Sequence, residues 1–250
     1  MNLKKGFSLV ELSIVLIIIG LLVGGITSGN KLIQQAKLRK VMQDIKTYVT
    51  DIQTFYVEYD ALPGDITDAE SFFGASNTDN GDGDGNVEYT GNTDADSDSN
   101  PDGESFNFFK HIELAEINTG LSLTLGATDA NYSSTNSPVG PFSGTIYHSE
   151  YDSAGDHSFA IAKNAVYYTA SDNSTADHNG ALTVESAKGI DTKIDDGIAY
   201  SGDVYGVDGD DVTAGDCSAA ADAANTSTDY NSSPSATDTD CYLVVFYSIN

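Results

Sequence analysis

The sequence lacks several residue types and motifs that often identify an enzyme or a metalloprotein. Its 250 residues include no tryptophan and only two cysteines, two methionines and five prolines. Two cysteines cannot supply the four thiolates of a zinc ribbon, and no Cys-x-x-Cys pair exists for zinc or haem attachment. The four histidines form no HExxH motif, and neither GxSxG nor a phosphate-binding loop is present. We therefore expect a protein that is not an enzyme.

Basic residues are also scarce, and they are unevenly distributed. The chain has 11 Lys and Arg against 38 Asp and Glu, a net charge of −27. Residues 1–60 hold seven of the basic and five of the acidic groups, so the other 190 residues carry 4 basic and 33 acidic groups, a balance of −29. Such a surface repels nucleic acid and anionic membranes. We therefore expect no nucleic-acid partner, and cations are the favoured ligands.

One long apolar run lies near the start of the chain. Between Phe7 and Ile26 the only polar side chains are Ser8, Glu11 and Ser13. A helix of about twenty residues spans about 30 Å, the thickness of the hydrocarbon core of a bilayer. A secretory signal peptide or a simple membrane anchor would account for the run. Neither explains why a glutamate lies inside it, where a carboxylate is expensive.

The opening stretch, KKGFSLVELSIVLIIIGLLVGG, resembles the class III signal of type IV prepilins and pseudopilins. The resemblance rests on the lysines, the Gly6–Phe7 junction and a glutamate at the fifth place after that junction. It implies that residues 1–6 are a leader peptide and that a membrane peptidase cuts between Gly6 and Phe7 on the cytoplasmic side. It also implies that Phe7 is N-methylated and that the apolar segment is kept.

The resemblance gives Glu11 a physical role. After cleavage Phe7 carries a cationic amine, and Glu11 lies four residues further on, about 6 Å along a helix. In the family, this glutamate pairs with the terminal amine of a neighbouring subunit in the filament. Breaking a buried ion pair costs about 3–5 kcal/mol, so a subunit at the wrong axial position is penalised. We predict that Phe7 and Glu11 set the register of assembly.

Helical periodicity continues beyond the apolar run. Apolar residues recur at three- and four-residue steps from Leu38 to Tyr59, and no proline interrupts residues 1–62. We predict one helix from Phe7 to about Tyr59, with a hydrophobic transmembrane or filament-core part at 7–30 and an amphipathic part at 31–59. The charged residues of the second part are predicted to point mostly away from the apolar stripe. They are Lys40, Asp44, Lys46, Asp51 and Glu58.

Residues 60–250 are predicted to form an α+β head with acidic loops. We expect short helices after a Thr67–Glu70 capping box and in 104–120, and strands in 158–170, 180–186 and 241–250. The order resembles the type IV pilin fold, in which an antiparallel sheet covers the amphipathic part of the long helix. Cys217 and Cys241 are predicted to form a disulfide if the head is exported, with two free thiols as the alternative.

A loop rich in carboxylates, NTDNGDGDGNVEYTGNTDADSDSNPDGE, is the clearest chemical signal in the head. Alternating carboxylates can converge on a hard cation that takes six to eight oxygen ligands. The start resembles an EF-hand loop, but Gly91 replaces the bidentate glutamate, which excludes a complete EF-hand. No cofactor is required, and the alternative is a solvated acidic loop without an ion. The predicted calcium ligands are Asp82, Asp84, Glu88, Asp94 and Asp96.

The resemblance implies a structural subunit of a bacterial type IV pilus-like surface filament that polymerises through its N-terminal helix. Its partners would be copies of itself, the prepilin peptidase and methylase, and the inner-membrane assembly platform. The precursor would lie in the inner membrane and the assembled protein in an extracellular filament. Two alternatives remain: a pseudopilin of a type II secretion system, in a periplasmic pseudopilus, and a low-copy tip pilin with an adhesive or ligand-binding role.

Overall fold

The computed structural model describes residues 9–87, 103–124, 132–152, 163–170, 178–209, 216–218, 229–231 and 238–247. Within these ranges a single long helix, α1, extends from Leu9 to Tyr59. Its 51 residues correspond to about 76 Å at the usual rise. The helix ends where Asp60 adopts a left-handed conformation, with φ of 54°, which is a common way to terminate a helix.

Burial along α1 changes sharply. Large apolar side chains from Leu9 to Ile33 are exposed, whereas Val41, Ile45, Ile52 and Phe55 are buried in the head. The apolar stripe predicted for the second part of the helix therefore does face the head. The prediction was wrong for Asp44 and Asp51, because both side chains are buried on the side of α1 that faces the head.

The two buried aspartates have partners that explain their position. The hydroxyl of Tyr147 donates a 3.3 Å hydrogen bond to Oδ2 of Asp44, and Lys40 donates to Oδ1 of the same carboxylate. The amide of Asn118 donates a 2.7 Å bond to Oδ2 of Asp51. Burial raises the pKa of Tyr147, so its hydroxyl stays neutral and able to donate. The head is thus attached to α1 by polar contacts as well as by packing.

The described part of the head contains three shorter helices. They are α2 at Ala69–Phe73, α3 at Glu104–Leu114 and α4 at Val184–Ile194. The predicted capping box at Thr67 is wrong, because Asp68 occupies the N-cap and the backbone N–H of Glu70 donates to Asn80 Oδ1. The α3 helix ends at Leu114, before the predicted stop at Gly120.

A four-stranded antiparallel sheet completes the head. The strands are β1 at Thr145–Asp152, β2 at Lys163–Ala170, β3 at Val204–Asp208 and β4 at Cys241–Phe246, in the spatial order β1-β2-β4-β3. The predicted strand at 180–186 is wrong. Leu182 makes only an isolated bridge to Cys241. Thr183 then caps α4 by accepting a hydrogen bond from the backbone N–H of Ser186.

The sheet has two buried faces. Tyr147, Tyr168, Leu243 and Val245 pack with α1 in the main core. A second cluster, formed by Tyr167, Tyr205, Val207, Tyr242, Val244 and Phe246, lies on the opposite face. Alternate residues of a strand point to opposite faces, so both sets come from the same strands. A long helix covered by an antiparallel sheet is the α+β arrangement of the type IV pilin fold, as predicted.

The disulfide between Cys217 and Cys241 is present, with the two Cα atoms 5.1 Å apart. It joins residues 216–218 to the first residue of the central strand β4. The same strand end pairs with Leu182. One end of β4 is therefore held by two separate parts of the chain.

Candidate functional site

The first candidate site is the exposed apolar part of α1. Between Leu9 and Ile33 every large apolar side chain is at least 47% exposed. This helix is long and apolar enough to cross a membrane, and none of its apolar window is buried. Isolated soluble proteins rarely expose a continuous apolar surface of this extent. The segment is therefore built to be covered by lipid or by other protein.

Two hydroxyl groups of this segment donate hydrogen bonds to the helix backbone. The hydroxyl of Ser13 donates to the carbonyl of Val10 at 2.9 Å, and that of Thr27 to Val23 at 2.8 Å. Such bonds to the preceding turn satisfy hydroxyl groups in an apolar environment. Glu11 is exposed in the first turn of the described helix, and it is the only carboxylate before Asp44. Gly6 and Phe7, the predicted processing junction, lie outside the described residues.

Four glycines of this segment have open surroundings. A Cβ placed at Gly20, Gly24, Gly25 or Gly29 would meet no atom within 4 Å. The helix nevertheless continues through all four positions. Each interior glycine costs up to about 1 kcal/mol of helix stability, and nothing in the isolated chain requires the absence of a side chain there.

The second candidate site is the acidic loop between α2 and α3. Asp82 and Asp84 lie together, and Asp65 joins them, with one carboxylate oxygen from each within 4.8 Å of the others. Glu88, Asp94 and Asp96, the other predicted calcium ligands, lie outside the described residues. The prediction therefore missed Asp65, which is distant in sequence and belongs to the turn after α1.

Asp65 organises this loop. Its Oδ1 accepts a 2.7 Å hydrogen bond from the backbone N–H of Gly83, and its Oδ2 accepts a 2.9 Å bond from Gly85. Burial raises the pKa of Asp65, these two hydrogen bonds lower it, and the negative charges of Asp84 and Asp82 raise it further. The loop thus concentrates negative charge around a buried carboxylate, an environment that a cation would relieve.

A third group was missed altogether. The sequence shows scattered histidines, but the structure brings His148 and His178 together beside Glu150, and all three side chains are buried. The signal that would have found half of this group is the His-x-Glu spacing in a strand. Residues two apart lie on the same face of a sheet. No local pattern indicates that His178 would join them.

Comparison with known proteins gives a match at the first candidate site, the exposed apolar part of α1. Residues 1–27 match the family model of the prokaryotic N-terminal methylation motif. The chain therefore carries this methylation motif at its N-terminus. The matched region contains Gly6, Phe7 and Glu11 and overlaps the exposed part of α1. No curated protein and no solved structure matches the chain.

The methylation motif and the α+β fold are consistent with each other. The motif implies processing by a prepilin peptidase and assembly into a pilus-like filament. The α+β fold places the disulfide-bonded head at the other end of the same helix that carries the motif. The methylation motif and the attachment of the head thus involve the same long helix.

Proposed function

We propose that this protein is a structural subunit of a bacterial type IV pilus-like surface filament. The observation that carries the proposal is the apolar part of α1, whose large side chains are exposed in the isolated chain and which begins within the methylation motif. Copies of this helix would bury one another in the filament core. The membrane already shields this helix from water, so packing between copies would rest on van der Waals contact and on small residues that allow the helices to approach closely.

Glu11 would give this assembly its register. In a filament core its carboxylate would lie away from water and would require a cationic partner. The methylated amine of Phe7 of a neighbouring copy supplies that charge. Because two unmatched charges in an apolar core are strongly penalised, only one axial offset between neighbours is favourable.

Charge complementarity supports association between copies of this chain. Arg39, Lys46 and Lys193 line one groove beside α1, together with Asp51. The chain as a whole is strongly acidic, with a net charge of −27. The acidic head of a second copy is the partner that this basic groove matches, and the attraction would weaken with salt.

Replacement of Glu11 tests the proposal in the bacterium that encodes the protein. Glu11→Ala and Glu11→Gln should abolish or greatly reduce filaments recovered by shearing, while the processed subunit accumulates in the membrane. Glu58→Gln is the matched control, because Glu58 is an exposed glutamate in the same helix beyond the apolar part. Electron microscopy and mass spectrometry of the subunit terminus are the measurements.

The outcomes separate the alternatives. Sheared filaments composed mainly of this chain, starting at methylated Phe7, support the proposal. A subunit confined to the periplasmic side, with loss of protein secretion on deletion, would identify a pseudopilin instead. A small amount of the chain in filaments made of another subunit would identify a tip pilin. Abundant regular filaments from Glu11→Ala would refute the register role.

A further inference from the structure

Among the described residues outside the acidic loops, one buried group has the composition of a metal site. His148, Glu150 and His178 are 2%, 8% and 3% exposed. The two carboxylate oxygens of Glu150 each face one imidazole. Oε1 lies 3.6 Å from Nδ1 of His148, and Oε2 lies 3.7 Å from Nε2 of His178. One ligand atom from each residue lies within 4.8 Å of the other two.

These separations are close to those of ligands that share an ion. Bond lengths of about 2.0–2.2 Å place neighbouring ligands of a tetrahedral zinc ion about 3.3 Å apart. A strong hydrogen bond would bring the same atoms to about 2.7–3.0 Å. The observed 3.6 and 3.7 Å lie beyond a direct hydrogen bond. Small rotations of the three side chains would bring their ligand atoms within bonding distance of one metal ion.

The fold brings the three side chains together from two distant parts of the chain. His148 and Glu150 belong to the edge strand β1. His178 precedes a segment held against β4, in which the backbone N–H of Ala181 donates to the carbonyl of Cys241 at 2.7 Å. Gly180 makes this approach possible, since a Cβ there would lie 1.8 Å from the carbonyl oxygen of Thr239.

Aromatic rings and one hydroxyl fix the orientation of the group. Tyr132 stacks on His148 with ring centroids 4.0 Å apart, and Tyr167 lies 4.9 Å from His148 and 4.7 Å from His178. The hydroxyl of Tyr132 donates a 2.6 Å hydrogen bond to Oε1 of Glu150. Hydrogen bonds of this kind orient the ligating carboxylate of a metal site.

The chemistry of the donors selects the class of ion. A buried carboxylate needs a positive partner, which here is either an imidazolium or a metal cation. Imidazole nitrogens with one carboxylate suit zinc and related transition metals, whereas calcium takes only oxygen ligands. The two cysteines are joined in a disulfide, so they offer no competing thiolates.

We propose that His148, Glu150 and His178 bind a divalent transition-metal ion of the zinc class. The ion would clamp the edge strand β1 to the segment that precedes α4, on the sheet face opposite α1. The site would stabilise the head and has no part in the processing or packing of the N-terminal helix. It is also separate from the acidic loop, whose donors are all oxygens.

Metal content and stability of the full-length chain in detergent test the proposal. The protein is stripped with a chelator, dialysed against zinc chloride and passed through gel filtration. We expect one zinc per chain by elemental analysis and a Tm several degrees higher than that of the stripped protein, because an ion that binds only the folded state stabilises it. Cobalt substitution should give the visible absorption of a four- or five-coordinate nitrogen and oxygen site.

Variants locate the ion. His178→Gln and Glu150→Gln should lose the retained zinc and weaken zinc binding at least tenfold. Asp82→Asn, in the acidic loop, is the matched control and should retain one zinc. Tyr132→Phe keeps all three ligands but removes the orienting hydrogen bond. It should lower zinc affinity about tenfold with unchanged stoichiometry at saturation, an effect that a role in packing alone would not produce.

Two results would overturn the proposal. In the first, the wild-type chain retains no zinc, shows no cobalt spectrum and has the same Tm with and without either metal. An imidazolium–carboxylate pair would then account for the cluster. In the second, His178→Gln and Glu150→Gln retain as much zinc as the wild type, which would place the ion elsewhere. The wild-type measurements decide the question even if a variant fails to fold.

Discussion

Nδ1 of His111 accepts a 2.8 Å hydrogen bond from the backbone N–H of Gly64. The bond joins α3 to the turn that ends α1. On the other side of the ring, Nε2 lies 2.6 Å from Oγ1 of Thr78. Because Nδ1 accepts, Nε2 carries the proton and donates to Thr78. A neutral His111 thus holds together the turn after α1, the helix α3 and the start of the acidic loop.

Gly64 has a backbone conformation and surroundings that disfavour any side chain, and its replacement gives the first prediction. Gly64 has φ of +89°, and a Cβ would lie 2.4 Å from the carbonyl oxygen of Glu104. Gly64→Ala should therefore destabilise the head by more than about 2 kcal/mol, from backbone strain and the clash together. Chemical denaturation of the full-length chain in detergent measures the change.

Gly144→Ala is the matched control for this prediction. Gly144 has φ of +78°, but a Cβ there would have no neighbour within 4 Å. Its substitution should cost only about 1 kcal/mol, the penalty of the backbone conformation itself. Equal effects of the two substitutions would show that the contact with Glu104 is unimportant.

Two buried groups give the head opposing responses to pH. Burial lowers the pKa of His111 to about 3, so the stability linked to its neutral ring is lost as pH falls from about 6.5 toward 3. Burial raises the pKa of Asp191 to about 6, although hydrogen bonds from Gly197 and Tyr230 lower it. Its neutral form is favoured in the folded state, so the stability linked to Asp191 is present below about pH 4 and lost as pH rises through 6.

Asp191→Asn isolates the second of these responses. An asparagine stays neutral, so the free energy of unfolding of the variant relative to the wild type should rise between about pH 4 and 6. The gain should reach on the order of 2–3 kcal/mol and then stay constant. Denaturation at several pH values measures it, and Glu185→Gln, at an exposed position of the same helix α4, serves as the control. A pH-independent difference would contradict the prediction.

The disulfide gives a third prediction. Cys217 and Cys241 are separated by 24 positions, and closing a loop of that length is worth about 3 kcal/mol. The double substitution Cys217→Ser with Cys241→Ser should lower the free energy of unfolding by about that amount. Both sulfurs are buried, and Cys241 begins β4, so residues 216–218 should become susceptible to proteolysis. Unchanged stability in the double variant would show that the bond is dispensable.

The acidic loop is tested by calcium. If Asp65, Asp82 and Asp84 share an ion, millimolar calcium should raise the Tm of the full-length chain, and a chelator should reverse the rise. Asp82→Asn combined with Asp84→Asn should remove this response. Asp65 is unsuitable as a test because its oxygens accept the N–H groups of Gly83 and Gly85. A Tm indifferent to calcium would identify the cluster as a loop-forming arrangement only.

The sequence predicted the features that depend on local pattern. The Gly6–Phe7 junction with Glu11 identified the methylation motif, and the repeat from Leu38 to Tyr59 predicted the helix as far as its observed end. Both signals are carried by residues close together in the chain. Burial of Asp44 escaped prediction because its partner, the hydroxyl of Tyr147, is 103 positions away.

The missed strands have physical reasons too. β1 was overlooked because its sequence does not alternate between apolar and polar residues. Both faces of the strand are buried, and the polar residues His148 and Glu150 lie on one of these buried faces. β3 contains Gly206, where a Cβ would lie 2.3 Å from the ring of Tyr230. The close approach of the Tyr230 ring requires a glycine at this position, and that approach is visible only in the folded chain. Asp65 and His178 join their sites in the same way, through residues distant in sequence.

The glycines of α1 give the last prediction, which separates packing within the chain from packing between copies. No atom lies within 4 Å of a Cβ placed at Gly24, so Gly24→Leu should leave the free subunit folded and inserted in the membrane. Small residues allow close approach of helices in an apolar environment, and a leucine in the filament core would prevent it. Gly24→Leu should therefore give normal amounts of processed subunit but few or no sheared filaments. Gly24→Ala, which improves helix propensity by up to about 1 kcal/mol, should assemble far better than the leucine variant. Normal filaments from Gly24→Leu would show that this face of the helix stays away from neighbouring copies.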